Sequence, residues 1–147
     1  IKVLRGVQDL EAFDRGLSNE VTARGMTRLY VGLAKGKLVS KKASRKMVEI
    51  LLRQRLHAKL PRLLPRSVKL AHKGGTISTV AHDGGIAYRK GRAEYVVVVM
   101  SRGYRSRRKV EKVLGRFSRA IWLHVAAKRG WKRSGRQKRG PRARIKR

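Results

Sequence analysis

Residues 71–100, AHKGGTISTVAHDGGIAYRKGRAEYVVVVM, contain the clearest indication of the fold. This stretch ends in six consecutive apolar residues at positions 95–100. A strand that is apolar on both faces is normally covered on both sides of its sheet. The dipeptide Lys90-Gly91 precedes this run and is typical of a hairpin turn. We therefore predict an antiparallel hairpin, with residues 86–88 in the strand before the turn.

The segments on either side of this hairpin predict a third strand and several helices. Residues 67–72 are predicted to form a strand, residues 76–80 are short and β-prone, and the predicted sheet has about three strands in all. Upstream, Thr22 and Ser40 are predicted N-caps of two helices, and Gly36 is the predicted C-terminal stop of the first. Downstream of Ser106, apolar residues recur at helical spacing. We predict an α+β fold in which a helical hairpin, a small antiparallel sheet and a long C-terminal helix follow one another.

The charge is large and uneven. The chain has 40 Lys and Arg against 8 Asp and Glu, a net charge of +32. Residues 1–100 hold 21 basic and 7 acidic side chains, or +14, and residues 101–147 hold 19 and 1, or +18. In residues 128–147, 11 of 20 residues are Lys or Arg. Such a segment has no apolar face to bury, so we predict a domain over 1–127 and a disordered basic tail over 128–147.

A segment with so many positive charges repels itself unless a polyanion neutralises it, and we predict that this polyanion is nucleic acid. A membrane is not expected as a partner, because the tail lacks the apolar face of a membrane-surface helix. Arginine and lysine would contact phosphates, and Trp131 would stack on unpaired bases. The predicted RNA-binding residues are Arg102, Arg105, Arg107, Arg108, Lys109, Lys128, Arg129, Trp131, Lys132, Arg133, Arg136, Lys138, Arg139, Arg142, Arg144, Lys146 and Arg147.

Several chemistries are not expected. The chain has no cysteine, so a disulfide framework and a thiolate site are excluded. The four histidines form no metal-binding array, so we predict neither a metal nor a cofactor. His82-Asp83 is interpreted as a turn pair.

A series of short motifs resembles the C-terminal half of class A β-lactamase-like serine hydrolases over about residues 1–127. They are Arg5-Gly6-Val7-Gln8-Asp9, Asn19-Glu20-Val21-Thr22-Ala23-Arg24, Leu63-Leu64-Pro65, Ala71-His72-Lys73-Gly74-Gly75, His82-Asp83-Gly84-Gly85-Ile86 and the valine strand. The resemblance implies a partial β-lactamase-like fold with a vestigial ligand pocket at Lys73, Gly74, Gly75 and Thr76. Lys73 would anchor an anionic ligand there, and the Thr76 N–H would form half of an oxyanion hole.

The chain departs from the family pattern at its catalytic motifs. Lys73-Gly74-Gly75 stands where the family has Lys-Thr-Gly, and the family's Ser-x-x-Lys nucleophile and Ser-Asp-Asn motif lie N-terminal to the matched region. Neither Ser40 nor Ser44 is followed by lysine at the third position. We therefore expect no Ser-x-x-Lys nucleophile in this chain and predict that it is not an enzyme.

The leading hypothesis is a non-catalytic RNA-binding component of a large ribonucleoprotein, namely an organellar ribosome, with ribosomal RNA as the partner and the mitochondrion or another organelle as the location. The alternative is the C-terminal piece of a split or cleaved serine hydrolase whose nucleophile lies on the missing half. A DNA-packaging protein is a third hypothesis. In the family, strand 95–100 pairs with a strand that this chain lacks, so neighbouring proteins are expected to cover its edge.

Overall fold

The computed structural model describes residues 1–77 and 79–131. Four α-helices, three strands and one 3₁₀ helix make up the chain in these residues. In order they are α1 (Leu10–Asp14), α2 (Ala23–Ala34), α3 (Lys41–Leu52), the 3₁₀ helix (Leu60–Leu63), β1 (Val68–Ile77), β2 (Val80–Arg89), β3 (Arg92–Arg102) and α4 (Arg107–Lys128). The predicted α+β class and the order of elements are confirmed. None of the helices in the described part of the chain is both long and apolar enough to span a membrane.

The sheet is antiparallel with the strand order β1-β2-β3. β1 and β2 pair along their whole length, from Val68 opposite Arg89 to Ile77 opposite Val80. Residues 76–80, predicted to be short and β-prone, are divided between two strands: Thr76 and Ile77 end β1, and Val80 begins β2. The predicted turn at Lys90-Gly91 is confirmed. Both residues have positive φ (50° and 76°), the conformation that type I′ hairpin turns require.

Helices cover both faces of the sheet. On one face, Tyr30 and Leu33 of α2 and Val48 of α3 pack against Ala71 and Ile86 of the sheet. On the other face, α4 and the 3₁₀ helix cover the alternate strand residues, whose side chains point to that side of the sheet. The cluster there comprises Leu60, Val68, Leu70, Ala87, Val97, Trp122 and Ala126. The sheet is thus the middle layer of a sandwich, which explains why β3 is apolar on both faces.

Short polar side chains set the helix starts. Thr22 Oγ1 accepts a hydrogen bond from the Gly25 N–H at 3.0 Å, and Ser40 Oγ accepts one from the Ala43 N–H at 3.1 Å. Each serves an N–H group that the helix itself leaves without a partner. Gly36 follows α2 with φ of 67°, where glycine is favoured. The two caps and the glycine stop are confirmed.

β3 lies at an edge of the sheet. Within the described residues it pairs with β2 alone. Its residues 95–100 are nearly all half-buried by the helices above and below, and no strand of the described residues lies beside its outer backbone edge. Such an edge offers unpaired N–H and C=O groups to another strand.

The packed part of the chain continues past the predicted boundary at 127. Lys128 is the last residue of α4, and the Trp131 N–H donates to the Ala126 carbonyl. The Trp131 ring packs against the cluster under α4, and the Arg89 guanidinium lies 4.6 Å from the ring centroid. The remaining predictions for the tail, its disorder included, concern residues 132–147, which lie outside the described residues.

Candidate functional site

A cavity of about 300 Å³ lies beside the second half of β1, between that strand and the first turns of α4. All four residues of the predicted ligand pocket, at positions 73–76, line it. The other lining residues are Gln54, Leu56, Ala58, Lys59, His72, Asp83, Arg107 and Glu111. Four separate segments of the chain therefore meet at the motif that the sequence singled out.

Asp83 and His72 form a buried pair in the wall of this cavity. Asp83 Oδ1 lies 3.0 Å from His72 Nδ1, and the two side chains are 1 % and 2 % exposed. Asp83 Oδ2 accepts a hydrogen bond from the Leu60 N–H at 3.1 Å. The interpretation of His82-Asp83 as a turn pair is wrong, because both residues lie inside β2. The strand register places Asp83 opposite Gly74 and one step diagonally from His72.

The His72 ring has a second buried nitrogen. Nε2 has no hydrogen-bond partner in the described part of the chain. Nδ1 is the ring nitrogen that lies within hydrogen-bond distance of Asp83. The ring centroid of His57 lies 5.8 Å away. The described residues contain no cluster of three side chains of metal-ligand type.

Lys59 fixes the segment before the 3₁₀ helix to the sheet. Its Nζ donates to the Gly75 carbonyl at 2.8 Å and to the His82 carbonyl at 3.1 Å. Burial lowers the pKa of Lys59, and the Asp83 carboxylate partly opposes this shift. A Cβ on Gly74 would lie 3.1 Å from this ammonium. The space beside residue 74, where the family motif has a threonine, is therefore next to the amine of Lys59.

Two further cations reach the cavity. Lys73 Nζ donates to the Gly74 carbonyl at 2.7 Å, and its side chain is exposed. Arg107 pairs with Glu111 one turn along α4, with Nε 3.0 Å from Oε1.

On the opposite face of the sheet, Tyr30 lies close beneath Gly84. Burial raises the pKa of Tyr30 to about 12, and the charge of Asp83 adds to the rise, so its hydroxyl stays protonated at neutral pH.

A Ser-x-x-Lys tetrapeptide does occur in the chain, contrary to the expectation: Ser106-Arg107-Arg108-Lys109. In the structure this serine is the N-cap of α4, and its Oγ lies 3.4 Å from the Lys109 N–H that it accepts from. The side chain of Lys109 is exposed. Ser106 is not among the residues that line the cavity. The tetrapeptide is thus explained by helix capping.

Sequence reasoning missed two members of the site, Lys59 and Asp83. Asp83 is one of only 7 acidic residues in positions 1–100, and the next four residues of its strand, at positions 84–87, are glycine or apolar. A lone acid in such a strand is a signal of a buried partner. Lys59 gives no such signal, because it is one of 40 basic residues.

The predicted RNA-binding residues fall into three groups. Those at the β3–α4 junction are all exposed: Arg102, Arg105, Arg107, Arg108 and Lys109. Lys128 and Arg129 are exposed at the end of α4, whereas Trp131 is half-buried with one face against Arg89. The others, at positions 132–147, lie outside the described residues.

Comparisons with known proteins agree with the motifs. A model of the beta-lactamase enzyme family matches residues 1–125. No curated protein matches the chain. Among solved structures, PBP-A superposes with a TM-score of 0.71 at 21 % identity, covering 86 % of this chain and 46 % of PBP-A. A mutant of PBP-A, solved as an acyl-enzyme complex with penicillin G, gives the same values.

A β-lactamase from Chitinophaga pinensis DSM 2588 superposes with a TM-score of 0.70 at 22 % identity, covering 79 % of this chain and 46 % of that protein. The chain thus spans about half the length of the solved structures that it matches. At these identities the structural likeness concerns the fold.

Proposed function

The chain belongs to the beta-lactamase enzyme family, and from this premise we propose that it is the C-terminal portion of a serine-hydrolase-like domain. In this proposal it supplies the strand wall that holds a substrate, and a second polypeptide segment supplies the nucleophile. By itself the chain is not an enzyme.

One observation carries the proposal: the four motif residues at positions 73–76 line a cavity together with Lys59 and Arg107. Cations and strand backbone are the groups that hold a charged acyl substrate and its oxyanion. Acyl transfer also requires an activated hydroxyl, and the Ser-x-x-Lys serine of this chain caps a helix instead. The C-terminal half of a serine-hydrolase site would supply the substrate-binding strand but not the nucleophile, and this chain has that combination.

The apolar surface supports a covering segment. Residues 1–21 carry several exposed large apolar side chains, among them Val3, Val7, Leu10 and Phe13, at 51–83 % exposure. A covering segment would remove these apolar side chains from water. The open edge of β3 is a second such surface.

Penicillin labelling tests the proposal. We expect the tagged full-length chain, purified gently from its native source, to bring with it a polypeptide that contains Ser-x-x-Lys. Fluorescent penicillin should then label that polypeptide covalently and leave this chain unlabelled. The Ser106→Ala variant should give the same labelling pattern, because Ser106 serves only as a helix cap.

Label on this chain that disappears in Ser106→Ala would contradict the proposal, since the nucleophile would then be its own. Purification of the chain alone, with no labelled partner, would also contradict it. Intact-mass spectrometry of the labelled band decides between these outcomes.

We propose RNA binding as a second candidate function, supported by the charge. The five basic residues at the β3–α4 junction are exposed, and only Arg107 among them forms an ion pair in the described part of the chain. Exposed Arg and Lys contact phosphates without regard to base sequence. The particle that we propose for this function is a ribonucleoprotein such as an organellar ribosome.

Salt dependence tests RNA binding. Removal of residues 128–147 takes away 11 basic side chains. It should weaken binding to all RNA sequences alike and flatten the plot of log K against log salt, because fewer counterions are released. Fluorescence anisotropy with two unrelated oligonucleotides measures both effects. An unchanged slope would exclude the tail as the binding element, and sequence-dependent losses would contradict backbone recognition.

A further inference from the structure

The side of α4 that points away from the sheet carries two adjacent rows of side chains, which together we call the outer face of α4. The basic row consists of Lys109, Lys112 and Arg116, and the second row consists of Val113, Phe117, Ala120 and His124. Residues three and four positions apart are neighbours on a helix surface, so each row is continuous along the helix. All of these residues are exposed, Val113 by 59 % and Phe117 by 48 %.

The outer face of α4 carries charge of one sign. Glu111 is the one acidic residue in α4, and it pairs with Arg107 rather than with the basic row. In the described part of the chain, no member of the basic row forms an ion pair. Neighbouring cations without a carboxylate attract an anion that extends along the helix, and a nucleic acid backbone is such an anion.

Phe117 places a flat ring beside the basic row. Among the Phe, Tyr and Trp residues, all of which lie in the described part of the chain, only Phe13 and Phe117 are exposed. The Arg5 guanidinium lies over the Phe13 ring, 4.9 Å from its centroid. Among the described residues, no cation lies over the Phe117 ring. A flat ligand can therefore stack on Phe117 without displacing a guanidinium.

The two exposed rings also differ in their electrostatic surroundings. Residues 9–14, which include Phe13, contain three acidic residues, Asp9, Glu11 and Asp14, and no basic one. Phe117 instead has the basic row alongside it on the same helix. A polyanion is therefore favoured at Phe117 over Phe13.

The composition of the second row favours a nucleic acid over two other occupants. Only Val113 and Phe117 in this row are large and apolar. A membrane-surface helix presents a wider face of bulky apolar residues. A protein segment that covered this face would have to supply carboxylates for the basic row or leave its charges buried without partners, which is costly. A strand of nucleic acid brings both negative charges and flat bases.

We propose that the outer face of α4 binds single-stranded RNA, with an unpaired base stacked on Phe117 and phosphates on the basic row. The inference rests on the proposed RNA binding and adds the class of RNA and the place where a base is held. Bases in a duplex stack on one another, so only unpaired bases are available to an aromatic side chain. His124 lies two turns further along the same row and is a second ring of a type that stacks on bases.

Ring signals of the full-length chain labelled with ¹³C-phenylalanine test this inference. The chain has two phenylalanines, so the spectrum contains the ring that should respond and one internal control. We expect a short single-stranded RNA of mixed sequence to shift the Phe117 ring signals upfield in a saturable way, because a stacked base shields the ring. The Phe13 signals should stay in place. The duplex of the same RNA with its complement should bind through the basic residues and move neither ring.

Variants of Phe117 separate base stacking from simple apolar contact. Phe117→Leu keeps an apolar side chain but has no flat ring, so it should weaken binding of the single strand at least about fivefold. Its affinity for the duplex should change less than about twofold. Phe117→Tyr keeps the ring and should bind the single strand as the unchanged chain does. Phe13→Leu is the matched control at the other exposed ring and should change neither affinity.

Equal effects of Phe117→Leu and Phe13→Leu on single-strand affinity would overturn the inference, and so would equal shifts of the two rings. A protein partner that co-purifies with the unchanged chain but not with Phe117→Leu would also overturn it, because α4 would then be a protein interface. If both RNAs bind and Phe117 does not respond, the stacking site is wrong and the proposed RNA binding stands. If neither RNA binds, the proposed RNA binding is itself wrong.

Discussion

The Asp83→Ala variant is expected to lose about 3–5 kcal/mol of unfolding free energy, the cost of breaking a buried ion-pair-like contact by removing one partner. Asp83 is 2 % exposed and accepts hydrogen bonds on both oxygens. Alanine would leave the Leu60 N–H and His72 Nδ1 buried without partners. Urea denaturation followed by circular dichroism measures the loss as a lower midpoint with unchanged slope.

Glu49→Ala is the matched control. Glu49 pairs with Lys46 at 3.6 Å, and the two side chains are 61 % and 68 % exposed. Its removal should change stability by less than about 0.5 kcal/mol. If Asp83→Ala costs no more than Glu49→Ala, the buried contact does not hold the 3₁₀ helix to the sheet. Asp83→Asn should fall between them, because the amide keeps one acceptor oxygen.

Gly85→Ala is expected to destabilise the protein by at least about 3 kcal/mol through overpacking. A Cβ at this position would overlap the Ala71 carbonyl oxygen and lie 2.7 Å from His72 Cβ. Both neighbours belong to the central part of β1, which is paired along its length and cannot withdraw without losing register. Thermal and urea unfolding of the variant measure the effect.

Gly75→Ala provides the comparison within the same sheet. Nothing lies within 4 Å of a Cβ on Gly75, so this change should be neutral or should stabilise the strand by up to about 1 kcal/mol. Equal effects of the two substitutions would mean that the close approach at Gly85 relaxes freely. A large loss of stability in Gly85→Ala alone would show that glycine is required at position 85 for β1 and β2 to pack closely beside the cavity.

Much of the fold could be predicted from local sequence signals. Thr22 and Ser40 cap the helices that they were expected to cap, and Lys90-Gly91 makes the predicted turn. Such signals act through neighbouring backbone atoms, so a few residues suffice to specify them. The sequence does not show that residues 76–80 are divided between β1 and β2, because threonine and serine suit either a strand end or a turn.

The site could be predicted only in part, and the reason is geometric. The motif at 73–76 was identified from its resemblance to a family, and the structure places these four residues on one cavity. Lys59 reaches carbonyls that are 16 and 23 positions away in sequence, and Asp83 reaches a ring 11 positions away. No local pattern encodes such contacts.

The α+β class, the starts of α2 and α3, the β2–β3 turn, the charge of +32 and the family resemblance all follow from the amino-acid sequence. That Asp83 is a buried acceptor and that Lys59 lies beside Gly74 follows only from the folded chain. Periodicity and capping depend on neighbours along the chain, whereas these two contacts depend on how β1 aligns with β2 and on where the 3₁₀ helix packs across them.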